Sequence, residues 1–175
     1  LESDIAFEDV EPEAPDMAFG TISGAGVIFG VTGGVTEAVL RRVVSSRSRS
    51  DILTVSNMGQ RGSEGIKEFD LSYGERVLHI AVVSGLANAE RVLQRMEAGE
   101  HFDFIEIMAC PGGCVSGAGQ PFISEEKRAA RSRGIYEADR LQSIRRSSEN
   151  PAVKTLYSDI LCGRAHELLH VSYIR

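Results

Sequence analysis

Val77 to Val83 reads Val-Leu-His-Ile-Ala-Val-Val, apolar at every position but one. A run this continuous predicts a strand covered on both faces. Leu86, Ala89, Val92, Leu93 and Met96 follow at helical spacing and predict an amphipathic helix over 86–98, ended by Gly99. Phe102-Asp103-Phe104-Ile105-Glu106-Ile107 then alternates and is rich in β-branched and aromatic residues, the pattern of a short strand. Strand, helix, strand implies a right-handed crossover and parallel pairing. Upstream, Thr36 to Val44 has apolar residues at helical spacing and no breaker, which predicts a helix opened by Gly33-Gly34. Ile52-Leu53-Thr54-Val55 and Ile66-Lys67-Glu68-Phe69 are strand candidates with Gly-rich turns between them. Downstream, Ser124-Glu125-Glu126 opens a polar stretch to Ser143 like a capped, largely exposed helix with a partial apolar face. Asn150-Pro151 restarts the chain, and 152–161 and 164–169 read as two short helices. The expected class is α/β: a short, mostly parallel sheet flanked by helices, with a helical C-terminal segment.

The chain has 175 residues, 42% of them hydrophobic. That fits a single domain with a real core. We divide it into an acidic arm over 1–16, an α/β lobe over 17–121 and a helical segment over 122–175. The arm carries Glu2, Asp4, Glu8, Asp9, Glu11, Glu13 and Asp16, and reads as solvated surface. Ser45 to Ser50 alternates Ser and Arg, the mark of a solvated helix end or turn. The net charge of −6 argues against a nucleic-acid role. Three cysteines make no disulfide framework. No apolar run reaches membrane-spanning length, and the first residues lack a basic and then apolar leader. The expected location is cytoplasmic.

The chemistry concentrates in Met108-Ala109-Cys110-Pro111-Gly112-Gly113-Cys114, running on to Gly117-Ala118-Gly119-Gln120-Pro121. Two cysteines flank a turn that Pro and Gly force open. Gly allows conformations and close approaches that a Cβ would block. A strand end with two thiolates around such a turn can wrap backbone closely around a bulky inorganic cluster. A zinc ribbon needs a second cysteine knuckle, and none exists here. A second Gly cluster runs from Gly24 to Val35. As a dinucleotide fingerprint it fails, because its third Gly comes one residue late and no clear strand precedes it. His166-Glu167-Leu168-Leu169-His170 matches the zinc-protease pattern, but five residues are far less specific than the cysteine stretch. A helix docked on the sheet is the preferred reading there. His79 reads as a satisfied core or edge histidine, and Cys162 as a buried small hydrophobe.

The cysteine stretch resembles the third signature of the iron-only ([FeFe]) hydrogenases. The resemblance implies that Cys110 binds a [4Fe-4S] cubane. Cys114 would bind the cubane and bridge to a diiron unit carrying CO, CN⁻ and a bridging dithiolate, the two parts together forming the H-cluster. Gly24 to Val35 resembles a second pattern of that family, a loop covering the diiron unit through Gly33 and Gly34, with Phe29 in its apolar wall. The family usually has Met where this chain has Thr36. Met108 would line the same pocket, and Gly112, Gly113 and Gly117 would let backbone amides approach the sulfurs. Asn150-Pro151 and the Ala165-His166-Glu167-Leu168-Leu169-His170 segment resemble the closing part of the domain.

A cubane normally takes four thiolates, and the motif supplies two. The family's two earlier cysteine signatures, one carrying the proton-passing cysteine, are absent. The resemblance therefore implies one lobe of the fold, with a partner polypeptide bringing the other two cluster cysteines, or alternatively a piece cut from a longer chain that carries them. The implied reaction is 2H⁺ + 2e⁻ ⇌ H₂, with a ferredoxin or electron-transfer subunit as redox partner. Two alternatives share the fold: an iron–sulfur assembly or prelamin-recognition-like protein without a diiron site, and a hydrogen-sensing hydrogenase.

Overall fold

A computed structural model of the chain describes residues 6, 9–14, 20–43, 65–121 and 124–171. The expected strand at 52–55 and the turn at 45–50 lie outside the described residues, as does part of the acidic arm. Ala6 and residues 9–14 of that arm are exposed.

The first described elements are short. α1 (Gly24–Val27) runs into a tight 3-10 turn at Ile28–Gly30, and α2 (Gly34–Val43) follows. β1 (Ile66–Tyr73) and β2 (Arg76–Ser84) then form a hairpin closed by Gly74-Glu75. A loop that short can join only antiparallel strands. The register runs from Ile66 opposite Val83 to Tyr73 opposite Arg76. α3 (Leu86–Glu97) carries the chain over to β3 (Phe104–Met108), which pairs with β2 in parallel, Ile80 opposite Phe104 through Ser84 opposite Met108. The α/β lobe is therefore present, but its described sheet of order β1-β2-β3 is mixed rather than mostly parallel.

α2 and α3 cover the two faces of this sheet. Leu40 packs with Leu71 and Ile80, while Ala89, Val92 and Phe102 pack with Ala81 and Val83. Each of the larger aliphatic side chains buried this way contributes about 1.5–3 kcal/mol. Two expectations about burial need correction. Only the second half of β2 is covered on both faces, because Val77 stands 64% exposed beyond the reach of either helix. The apolar stripe of α3 is likewise only half used: Ala89 and Val92 are buried, but Leu86, Leu93 and Met96 are exposed.

α4 (Glu125–Leu141) starts on Ser124, whose hydroxyl accepts from the Lys127 amide. α5 (Pro151–Thr155) starts on Asn150, whose side chain accepts from the Ala152 amide and donates to Thr21 O at 2.6 Å. A wider turn over Leu156–Ile160 extends α5, and α6 (Ala165–Leu169) closes the described chain. α6 does not dock on the sheet as expected, since Leu168 and Leu169 are each half exposed. No helix among the described residues is long and apolar enough to cross a membrane.

Candidate metal centre

β3 ends at Met108 and delivers the chain into the cysteine loop. The amide of Gly85 donates to Met108 O at 2.7 Å, fixing where the strand stops. The loop closes on itself through Gly113 N to Cys110 O at 3.0 Å, and Cys114–Ser116 form a 3-10 turn. Gly112 N donates to Ser84 Oγ at 3.0 Å, which ties the loop to the end of β2. From the other side, Arg131 of α4 donates to Val115 O and Gln120 Oε1, both at 3.1 Å. Cys110 is half-buried and Cys114 exposed, and both thiols are free. A Cβ on Gly117 would stand 3.3 Å from Cys110 Sγ. Any other residue there would crowd the sulfur and whatever it binds.

The glycine loop interlocks with the cysteine loop at two points. At the first, Gly113 lies flat on the backbone of Gly30, Val31 and Thr32. A Cβ on Gly113 would stand 2.8 Å from Gly30 O and 2.9 Å from Thr32 N. Gly113 also adopts φ 84° and ψ −163°, a region essentially reserved for glycine. At the second point Glu106 reaches from β3 into the start of α2. Its Oε1 accepts from Gly33 N at 2.7 Å, and its Oε2 accepts from Thr36 N at 2.7 Å and Thr36 Oγ1 at 2.6 Å. Glu106 is 4% exposed and Thr36 fully buried. Gly34 opens the helix between these donors, its amide bonded to Val31 O.

Behind the glycine loop lies a buried charge network. Arg41 of α2 donates to Glu37 Oε1 on its own helix and, through both terminal nitrogens at 2.8 Å, to Asp139 of α4. Arg145 adds two more bonds to Asp139. Burial raises the Asp139 carboxyl, but bonds and charge from Arg41 and Arg145 outweigh it and hold the group below the ordinary carboxylate range. Burial, and then Glu37, holds the Tyr136 phenol well above its usual range.

The sequence-derived site residues divide as follows. Cys110, Gly112, Gly113, Cys114 and Gly117 share one loop, and Gly33 and Gly34 belong to the loop latched against it. Phe29 is 46% exposed, on the turn directly before the Gly30 contact, and Met108 is half-buried at the strand end. Cys162 is exposed, not buried, and sits in a turn with φ 44°. The His166–His170 pair is only a ring contact at 4.5 Å, and Glu167 is held by Arg164. His79 is satisfied as expected, with Nδ1 2.7 Å from Asp70 Oδ1 and its ring stacked on Phe102. Glu68 and Glu100 lie near it, but Arg95 already occupies both carboxylates. Sequence reasoning missed Glu106. The available signal was an acidic residue inside an apolar strand, four residues before the first cysteine.

A cleft of about 960 Å³ opens beyond the carboxyl ends of β2 and β3, lined by Lys67, Ser84, Asn88, Pro111, Gly112 and Arg128 among others. This is where ligands gather in open α/β sheets, and the cysteine loop forms one of its walls.

Two family models match the chain. Residues 1–118 match the model described as "Iron only hydrogenase large subunit, C-terminal domain", and residues 125–175 match "Iron hydrogenase small subunit". The chain belongs to the iron-only hydrogenase family. NADP-reducing hydrogenase subunit HndD of Solidesulfovibrio fructosivorans is 38% identical over 177 residues, covering 98% of this chain and 30% of that protein. A solved structure of a variant of [FeFe]-hydrogenase HydA1 from Chlamydomonas reinhardtii superposes with a TM-score of 0.60 at 32% identity, covering 99% of this chain and 52% of that one. The cytosolic Fe-S cluster assembly factor narfl of Xenopus tropicalis is 28% identical over 180 residues, covering 97% of this chain and 37% of that protein. This hydrogenase-family chain thus spans 30% to 52% of the length of these three relatives.

The residues present fit part of an iron–sulfur ligand set. Two free thiols stand on a glycine-lined turn, with Cβ-free backbone beside Cys110 Sγ. Soft thiolates are the ligands such clusters take.

Proposed function

We propose that this chain supplies the C-terminal half of a hydrogenase H-cluster site. Cys110 would bind the [4Fe-4S] cubane, and Cys114 would bind the cubane and bridge to the diiron subcluster. The observation that carries this reading is the exposed Cys114 thiol on a loop whose backbone is locked against the Phe29 loop at Gly113. When bound, the H-cluster interconverts protons, electrons and H₂. The chain's own residues hold and shelter it. Phe29 and Met108 present apolar, polarizable surface that keeps water off the diiron side. Gly112, Gly113 and Gly117 keep the backbone close to the sulfurs, where amide dipoles tune the potential. Gly33 and Gly34 shape the covering loop.

Two thiolates are half of what a cubane needs. The complementary polypeptide segment supplies the other two cysteines and the proton donor, and docks on the face where Cys114 is exposed. In this reading the α/β lobe carries the ligands, and α4 braces their loop through Arg131. Electrons pass to or from a ferredoxin or electron-transfer subunit.

Relationship to the assembly factor narfl supports a second reading, an iron–sulfur protein of the same fold without a diiron unit. Hydrogen turnover by the wild type separates them, and replacing the bridging thiol tests the role of Cys114. In the matured, anaerobic complex, Cys114→Ala should abolish hydrogen turnover even where some cubane iron survives. Full turnover in that variant would remove Cys114 from the site.

A further inference from the structure

We propose that Glu106 is the positioning residue of the cluster site, holding the glycine loop and the cysteine loop as one rigid piece. The proposal rests on reading Cys110 and Cys114 as cluster ligands. Glu106 stands on β3, the strand that delivers those cysteines, and is 4% exposed. All three of its donors belong to Gly33 and Thr36, at the first turn of the ten-residue α2. A helix start carries orphan amides and partial positive charge, so a carboxylate is the group that satisfies it. Neither oxygen is left without a donor.

The second contact makes this clamp functional rather than merely cohesive. Gly113 rests on the backbone of Gly30 to Thr32. Phe29 directly precedes that stretch, and Cys114 directly follows Gly113. Between Glu106 and Gly113 the two loops are therefore pinned at two places, and the pinned segments end at Phe29 and Cys114. Where the aromatic wall stands relative to the bridging thiol is set by this pair of contacts. The Thr36 hydroxyl is the adjustable part. It adds a third bond to Glu106 from a fully buried side chain, and Val is nearly its shape without the donor.

Two variants of the complete anaerobic complex test the proposal. Thr36→Val removes one hydrogen bond and keeps the packing. Glu106→Gln turns one acceptor into a donor that faces a donor. Amide hydrogen exchange is followed by mass spectrometry in peptides spanning 28–36 and 109–117. A lost bond of ordinary strength raises exchange about fivefold, and both peptides should rise together in Thr36→Val. A rise confined to 28–36, or none, overturns the proposal. In cluster-loaded material the infrared CO and CN⁻ bands of Thr36→Val should shift at unchanged iron content. Bands at wild-type positions also overturn it. If Glu106→Gln does not accumulate, Thr36→Val decides alone. If wild-type protein shows no CO or CN⁻ bands, the hydrogenase reading fails, and the exchange coupling still decides the role of Glu106.

Discussion

Replacing Gly113 by Ala adds one methyl group at the seam between the two loops. That methyl would stand 2.8 Å from Gly30 O, 2.9 Å from Thr32 N and 3.0 Å from Val31 Cα. All three are backbone atoms, so no side chain can swing aside to make room. The cost has two parts. Holding Ala at φ 84°, ψ −163° costs roughly 1–3 kcal/mol, and forcing a methyl into packed backbone costs roughly 1–3 kcal/mol more. A combined loss of about 2–6 kcal/mol is a large share of the ~5–15 kcal/mol that stabilises a typical domain. Gly119→Ala is the natural control. It also has positive φ, 87°, but nothing lies within 4 Å of the added methyl, so it should lose only the backbone term of about 1–2 kcal/mol. Equilibrium denaturation of both variants, with iron per chain measured alongside, isolates the contact. Gly113→Ala should unfold at clearly lower denaturant than Gly119→Ala and load less iron. Equal midpoints and equal iron would show that the loops do not interlock as described.

Asp139→Ala would leave the buried Arg41 with Glu37 but without its two bonds across to α4, a loss of about 3–5 kcal/mol measurable by the same denaturation. The Asp139 carboxyl also sets an acid limit. Its folded-state value is held below the ordinary one, so its stabilisation is complete above the unfolded value of about 3.9 and is lost as pH falls through the folded value. Asp139→Asn should flatten the acid limb of the stability profile, and a limb as steep as wild type would contradict this.

Local signals were legible in the sequence. Ser124 and Asn150 cap their helices, Gly99 follows the end of α3 with φ 99°, and the cysteine loop sits at a strand end. Where local chemistry decides an element, residue type and spacing are enough. Contacts between distant segments were not legible. Along β3, Ile105 and Ile107 share one face and Phe104 and Glu106 the other; Ile105 packs on the core, yet Ile107 is 46% exposed and Glu106 is buried. Glu106 is inward because donors arrive from a loop about seventy residues earlier, and nothing near Glu106 in the chain records that. Arg41 is similar. Its i,i+4 partner Glu37 could be read from spacing, but Asp139, 98 residues away, could not. The mixed sheet has a simpler cause: Gly74-Glu75 is too short for anything but a hairpin, whereas the strand–helix–strand pattern that follows speaks only for the parallel pair.

Cys110 and Cys114 are proposed to hold one side of an H-cluster. Infrared spectroscopy of natively purified, anaerobic protein with its co-purifying segments tests it most directly. CO and CN⁻ stretching bands should appear together with iron–sulfur absorbance and be lost in Cys114→Ala. Iron–sulfur absorbance in fully matured protein without any CO or CN⁻ bands would contradict it.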